Sequence, residues 1–358
     1  MTAPTSFDAR PVVESLLQRA VEGRASDVHI EPVAQGYELR VRVDGLLQTI
    51  DRVPTDVGRG IVLRLMVMAE LLTYKLDIPQ EGRLRIAAGG AISRELDLRL
   101  AVMPVAHGLR AVIRLPAELV QPRTLEGLGL PESALKCLHD FARADAGMLL
   151  ITGPAGSGKT TTIYALLEYI AAMQRGISII SLEDPVERVL TGVTQIEVSP
   201  HGAMTYERAL MSVLRQDPQV LMMGEIRDAE TASIAVQATL SGHRLICTLH
   251  AGHPGGAIAR LLEMGIAPYQ LTSSIFAVVT QRLLRRRRAD GYFGRIPVAE
   301  VGRLDDPARA AILARRDGEQ LRNLFGAQAG HVTIRAAAET LVKEGVTDAA
   351  EVERVLGK

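Results

Sequence analysis

An apolar run from Met148 to Ile151 leads into Gly153-Pro154-Ala155-Gly156-Ser157-Gly158-Lys159-Thr160, and Thr161 to Tyr169 follows with helical character. No other stretch constrains the fold so tightly. Strand, glycine-rich loop ending in Gly-Lys-Thr, then helix is an arrangement that wraps backbone N–H groups around phosphate oxygens. Glycines permit this because no Cβ stands in the way. The positive end of the following helix faces the same anion. The stretch therefore predicts a nucleotide site made by Gly153, Pro154, Ala155, Gly156, Ser157, Gly158, Lys159, Thr160 and Thr161. Lys159 is expected to reach the β- and γ-phosphates, and the Thr160 hydroxyl to help hold Mg²⁺.

At 358 residues the chain has room for two domains. With 47% apolar and 23% charged residues it has the composition of a folded globular protein. Lys+Arg and Asp+Glu both number 41, so no global charge imbalance argues for nucleic acid as a direct partner. Cys137 and Cys247 are too few for a disulfide framework and fit a reducing compartment. No apolar run approaches a membrane span, and the polar start lacks a signal-peptide core. The expected location is cytoplasmic, with any membrane role peripheral.

Residues 1–22 form an N-terminal segment, and an α+β domain is expected over 23–120. Val28 to Ile30 and Tyr37 to Val43 read as strands, the second alternating apolar and polar. Asp44-Gly45 signals a hairpin returning through Leu46 to Ile50. Residues 56–72 carry helical spacing, with Ile61, Leu65, Met66, Ala69 and Leu72 on one stripe. Two further alternating runs, around Leu96 to Leu100 and Arg110 to Arg114, flank a turn and predict an antiparallel pair. Arg99 and Arg114 then share its polar face. Like charges across strands are unfavourable unless an anion lies between them, and the alternative is a solvated basic patch.

Residues 121–131, rich in proline and glycine, read as a linker to the domain over 132–290. There, apolar strands end in polar residues and alternate with helical segments. Ile177 to Leu182 runs into Glu183-Asp184, Val220 to Met223 into Gly224-Glu225, and Leu245 to Leu249 into His250. Parallel α/β sheets collect ligands at strand carboxyl ends, so a RecA-like P-loop sheet follows. Glu225 sits in a Walker B arrangement, expected to hold the metal through water. Glu183 and Asp184 are candidates for orienting the attacking water, with Asp184 also near the metal. Asp228 reads instead as a helix N-cap. His243 and His250 bracket one strand, and either sense the γ-phosphate or serve as structural hydrogen-bonding residues.

Linked motifs then resemble the secretion and type IV pilus ATPase superfamily. They are Thr152 to Thr162 (TGPAGSGKTTT), Ser181 to Glu187 (SLEDPVE), Leu214 to Asp228 (LRQDPQVLMMGEIRD) and Ser241 to His250 (SGHRLICTLH), with Gln281-Arg282-Leu283 downstream. Earlier, Ala25 to Pro32 (ASDVHIEP), Arg40 to Gly45 (RVRVDG) and Pro79 to Arg83 (PQEGR) are similar too. The resemblance implies a PAS-like first domain, ATP and Mg²⁺ as ligands, and Arg99 and Arg114 as arginine fingers. It adds Arg227 to the nucleotide site. It implies a homo-hexamer that pushes on a polytopic inner-membrane platform protein as its two domains swing.

Some features depart from that pattern. The secretion-type tetracysteine zinc cluster is not expected, and with about 22 residues before the matching region, neither is an N-terminal docking domain. Met211 stands where many relatives carry arginine, and Gln219 where an aspartate is common. Pro268 to Leu284 reads as an apolar helix ending in Arg285 to Arg288. These arginines suit either a solvated helix end or acidic lipid headgroups. Residues 291–358 are expected to form a C-terminal helical region. The leading function is an ATP-hydrolysing motor for pseudopilus or pilus assembly or type II secretion. Alternatives are a retraction motor and a nucleotide-gated scaffold with little turnover.

Overall fold

The computed structural model describes residues 8–89, 95–116, 122, 124–174, 176–199 and 202–357. The chain divides into two compact units, Met1–Gln121 and Pro122–Lys358. The expected N-terminal segment and linker lie partly outside the described residues. Leu125 and Leu128, within the expected linker, are buried in the core of the second unit.

The first unit runs α1 (Ala9–Glu22), β1 (Asp27–Val33), β2 (Gly36–Val43), β3 (Leu46–Val53), α2 (Thr55–Met68), β4 (Gln80–Ile86), β5 (Leu96–Val105) and β6 (Gly108–Arg114). Its six strands pair in the order β3-β2-β1-β6-β5-β4, with every neighbouring pair antiparallel. Alternate residues, among them Val28, Ile30, Leu39, Leu98, Leu100, Ala111 and Ile113, join Leu16 and Leu17 of α1 and Ile61 and Leu65 of α2 in one core. The other face is polar, as a period of two dictates. Asp44 and Gly45 have φ of 48° and 86°, the two left-handed residues a tight hairpin requires. The expected apolar stripe stops short of Leu72, which lies beyond α2 and is 40% exposed.

The second unit contains α3 (Glu132–Arg143), β7 (Gly147–Thr152), α4 (Lys159–Met173), β8 (Ile179–Glu183), β9 (Thr194–Glu197), α5 (Tyr206–Val213), β10 (Val220–Met223), α6 (Ala229–Leu240) and β11 (Arg244–Leu249). It continues with α7 (Pro254–Glu263), α8 (Pro268–Ser274), β12 (Ile275–Arg288), β13 (Gly291–Arg303), α9 (Asp306–Leu313), α10 (Gly318–Gly326), α11 (Ile334–Lys343) and α12 (Ala349–Leu356). The sheet order is β13-β12-β7-β11-β10-β8-β9, parallel throughout except for the edge strand β13. Leu149, Ile151 and Ile246 face α3 and α4, whereas Leu150, Leu245 and Cys247 face the opposite core with α5 to α10. The strands are thus buried on both faces, which is why they read as continuous apolar runs.

Two expectations are corrected here. Pro268 to Leu284 is not one helix: α8 ends at Ser274 and β12 begins at Ile275. Ile275, Val278, Val279 and Thr280 are β-branched and stiff at χ1, which favours a pleated, packed environment. Because β12 is covered on both faces, it lacks the alternation that separates strand from helix. Residues 291–303, expected to be helical, are strand β13, so the C-terminal helices begin at Asp306. The four arginines therefore lie at the end of a strand. Arg285 donates to Glu351 of α12 at 2.7 and 2.9 Å and lies over the Tyr292 ring. Burial opposes ionisation of Glu351, but the bonds from Arg354 and Arg285 prevail and hold its pKa at about 2. From Asp306 onward the short helices follow expectation, with Gly345 in the left-handed region after α11 and Asp348 capping α12.

Candidate nucleotide site

β7 is buried from Met148 to Thr152, and the chain leaves it at Gly153 with φ of 145°. A Cβ there would lie 2.5 Å from the Gln281 carbonyl oxygen and 2.6 Å from Ser157 Oγ, so only glycine fits. Gly158, with φ of 89°, caps α4 in the left-handed region. Lys159, Thr160 and Thr161 form the first turn of α4, where backbone N–H groups have no partner inside the helix. The Lys159 ammonium donates to the carbonyls of Gly153 and Pro154, both at 3.0 Å, folding the side chain over its own loop. Burial lowers its pKa, Glu225 opposes that, and Arg282 adds to it. Ser157 Oγ is buried among the loop atoms without a hydrogen-bond partner. The loop thus gathers unspent donors and one desolvated cation, which an anion would satisfy.

Three further strand ends lie beside β7 in the parallel sheet. β10 is buried throughout and delivers Glu225. One carboxylate oxygen of Glu225 accepts from Arg227 Nε at 3.0 Å, and the other is 3.1 Å from His250 Nε2, just past the end of β11. Arg227 Nη1 also lies 4.0 Å from Asp184. Hydrogen bonding to Glu225 raises the pKa of Arg227 further. Thr248 Oγ1 donates to the Gly224 carbonyl at 2.5 Å, fixing the backbone beneath Glu225. A cavity of about 200 Å³ opens here, with Tyr206, Glu225, Arg227 and Asp228 in its wall. Asp228 caps α6 through Thr231 N at 2.8 Å, as its position before the helix predicts.

Glu183 is placed differently. It is only 3% exposed. Its Oε1 accepts from Ser181 Oγ at 2.5 Å and Gln195 Nε2 at 2.9 Å, while Oε2 accepts from the Tyr164 hydroxyl. Both carboxylate oxygens are bonded, and in this arrangement Glu183 ties β8 to α4 and β9. Burial, then the bond to Glu183, pushes the Tyr164 hydroxyl far above its ordinary pKa.

His243 stands apart from the loop. It precedes β11, whereas the loop follows the carboxyl end of the adjacent parallel strand β7, so within one chain the two lie at opposite ends of these strands. Its ring nitrogen Nδ1 is 2.8 Å from the Ala238 carbonyl, a structural bond at the end of α6. His250 is the one brought to Glu225.

In the first unit, Arg99 and Arg114 stand directly opposite each other on β5 and β6, as the alternation predicts. Their rung continues through Asp27 to Arg42 on one side and through Arg99 to Arg83 on the other. Asp27 pairs with Arg114 at 3.2 Å and Arg42 at 3.4 Å. The rung thus holds four arginines and one carboxylate, which pairs with two of them. Arg42 and Arg83 were missed by sequence reasoning, although both lie in the quoted motifs with the right parity.

Also missed were Tyr164 and Gln195, which hold Glu183, and Gln281, whose buried amide contacts the loop. Only Gln281 had a signal, the Gln-Arg-Leu motif, and reading that segment as helix concealed where it points. Met211 is 54% exposed on α5, and Gln219 accepts from Ser178 N at 2.5 Å, a bond that ties the edge of β10 to that of β8. Among the described residues, no group of three or more His, Cys, Asp or Glu could hold a metal ion, and no helix is long and apolar enough to cross a membrane.

A profile of the family described as Type II/IV secretion system protein matches residues 7–354. The Type II secretion system protein HxcR of Pseudomonas aeruginosa is 37% identical over 97% of this chain and 78% of its own length. The Type II secretion system protein E of Pectobacterium carotovorum is 36% identical over 96% of this chain and 75% of its own. Among solved structures, the ATPase DotB of Legionella pneumophila superposes with a TM-score of 0.76 at 21% identity, covering 98% of this chain and 96% of that one, a likeness of fold. The pilus retraction motor PilT with bound ADP superposes with a TM-score of 0.68 at 28% identity, covering 96% of both chains.

Proposed function

Because this chain belongs to the Type II/IV secretion system protein family and is an ATP-hydrolysing enzyme, we propose that it is the cytoplasmic motor of a type II secretion or pilus-assembly apparatus. The observation that carries this reading is the convergence of the Gly153–Thr160 loop with the Glu225–His250–Arg227 cluster at the carboxyl ends of neighbouring parallel strands. The loop's unpartnered Ser157 hydroxyl and desolvated Lys159 fit a nucleotide triphosphate. Thr160, with Glu225 and Asp184 through water, would hold Mg²⁺, which neutralises phosphate charge when bound.

Within this reading, Lys159 exchanges its two carbonyl partners for phosphate oxygens. Glu225, held between Arg227 and His250, would accept from metal-held water. Glu183 reaches an attacking water only by giving up the Tyr164 hydroxyl. Tyr164 lies on α4, whose first turn binds phosphate, so nucleotide occupancy and release of Glu183 act on the same helix. His250, bonded to Glu225, reports whether the γ-phosphate is in place.

Arg99 and Arg114 are proposed to act as arginine fingers on the nucleotide, together with Arg83 and Arg42. The under-neutralised rung of four arginines supports an anionic partner for that face. The motor is proposed to be a homo-hexamer, peripheral at the inner membrane, that pushes on an integral platform protein without binding nucleic acid. The PilT likeness keeps retraction as a second reading, but the 36–37% relatives are secretion proteins, and assembly or secretion is favoured. The test is ATP hydrolysis by the purified protein. Turnover lost in Lys159→Ala and reduced at least about tenfold in Arg99→Ala, with ATP still bound by the latter, is expected. An unaltered protein that binds ATP without turning it over would leave the nucleotide-gated scaffold.

A further inference from the structure

Gln281 is 1% exposed, in a strand that does not contribute the phosphate loop, yet its side chain is spent on that loop. Its Nε2 donates to the Ser157 carbonyl at 2.7 Å, and its Oε1 accepts from Thr162 Oγ1 at 3.1 Å. A buried amide is costly unless both ends are satisfied, and here the loop and the first turns of α4 satisfy them. The approach is close. Cβ atoms on Gly153 and Gly158 would lie 2.5 Å from the Gln281 carbonyl oxygen and 3.1 Å from its Nε2. These two glycines are therefore required by β12 as well as by any phosphate.

The Ser157–Gly158 peptide is trans, so its C=O and N–H point in opposite directions. Drawing the Ser157 carbonyl toward β12 therefore turns the Gly158 N–H away from β12. Gly158 tolerates either orientation, because glycine has no Cβ to disfavour a flipped peptide. Something outside the loop must choose, and the only side chain among those described that donates to the Ser157 carbonyl is Gln281.

We propose that Gln281 is a positioning residue for nucleotide binding, locking the Ser157–Gly158 peptide with its N–H aimed at phosphate. The inference rests on the nucleotide-site reading above. In Gln281→Met, shape is kept and both bonds are lost. In Gln281→Glu, a carboxylate oxygen faces the Ser157 carbonyl oxygen and repels it. Thr280→Val is the control: it breaks the neighbouring buried bond between Thr280 of β12 and Thr152 Oγ1 of β7 at 2.6 Å but leaves the Ser157–Gly158 peptide alone.

The experiment measures dissociation constants of a fluorescent ADP analogue for the full-length protein, with thermal unfolding midpoints and the KM for ATP alongside. Both Gln281 variants are expected to weaken ADP binding by about tenfold or more and raise KM in parallel, with kcat at saturation changed less than about threefold. Thr280→Val is expected to lower the unfolding midpoint as far as Gln281→Met does, while ADP affinity stays within about twofold. Native ADP affinity in Gln281→Met, or equal weakening in Thr280→Val, would overturn the proposal. If the unaltered protein binds no ADP, the nucleotide-site reading itself fails.

Discussion

Two carboxylates stand at the ends of adjacent strands, and they live in different chemistry. Glu225 follows β10 beside a cavity, touching a guanidinium and an imidazole, both of which are half-exposed. Glu183 ends β8 inside the protein, with three neutral donors bonded to its two oxygens. Sequence position treats them alike, since each follows an apolar strand in a parallel sheet. The difference lies in what the neighbouring helix offers: α4 brings the Tyr164 hydroxyl over Glu183 and no comparable donor over Glu225. An acid whose partners are half-exposed is poised to exchange them for a ligand. An acid whose partners are buried and neutral holds the fold together until something moves them.

That contrast can be broken by variants of graded severity. Glu225→Gln removes the charge shared by Arg227, His250 and the metal-held water, and turnover is expected to fall by about a hundredfold or more in a coupled ATPase assay. A loss of less than tenfold would show that the cavity-side carboxylate is not the essential one. Glu183→Gln is expected to reduce turnover by about tenfold or more. Tyr164→Phe removes one donor from Glu183, and a change of about threefold in kcat is expected. An increase would mean that the hydroxyl restrains a catalytic Glu183, and a decrease that it supports the buried network. His243→Ala should leave turnover within about twofold, because its ring contacts a backbone carbonyl at the amino-terminal end of the parallel strands, away from the loop. A large loss there would bring a neighbouring subunit's site into contact with that end.

Much of this was legible from residues alone. The phosphate loop, the four strand ends and the Arg99–Arg114 pairing all follow from local rules: glycine placement, buried apolar runs and a period of two. What was not legible depended on partners distant in sequence. Glu183 is held by Tyr164 and Gln195, and no pattern around Glu183 reveals them. β12 was mistaken for helix because a strand covered on both faces carries no alternation, and with it went the site of Gln281. The arginine rung was half legible, since Arg42 and Arg83 have the correct parity but their register is set by strand pairing across the sheet. His243 and His250 are equal in sequence; only the direction of β11 relative to β7 separates them.

The most direct test of this division is the thermal unfolding midpoint of Glu183→Gln measured beside that of Glu225→Gln. Replacing a fully bonded buried acceptor with an amide sets an NH₂ against other donors, at a cost of about 1–3 kcal/mol, or several degrees in a protein of this size. Glu183→Gln is therefore expected to melt several degrees below the unaltered protein, and Glu225→Gln within about one degree of it. Equal midpoints for the two variants, or the reverse order, would contradict the account.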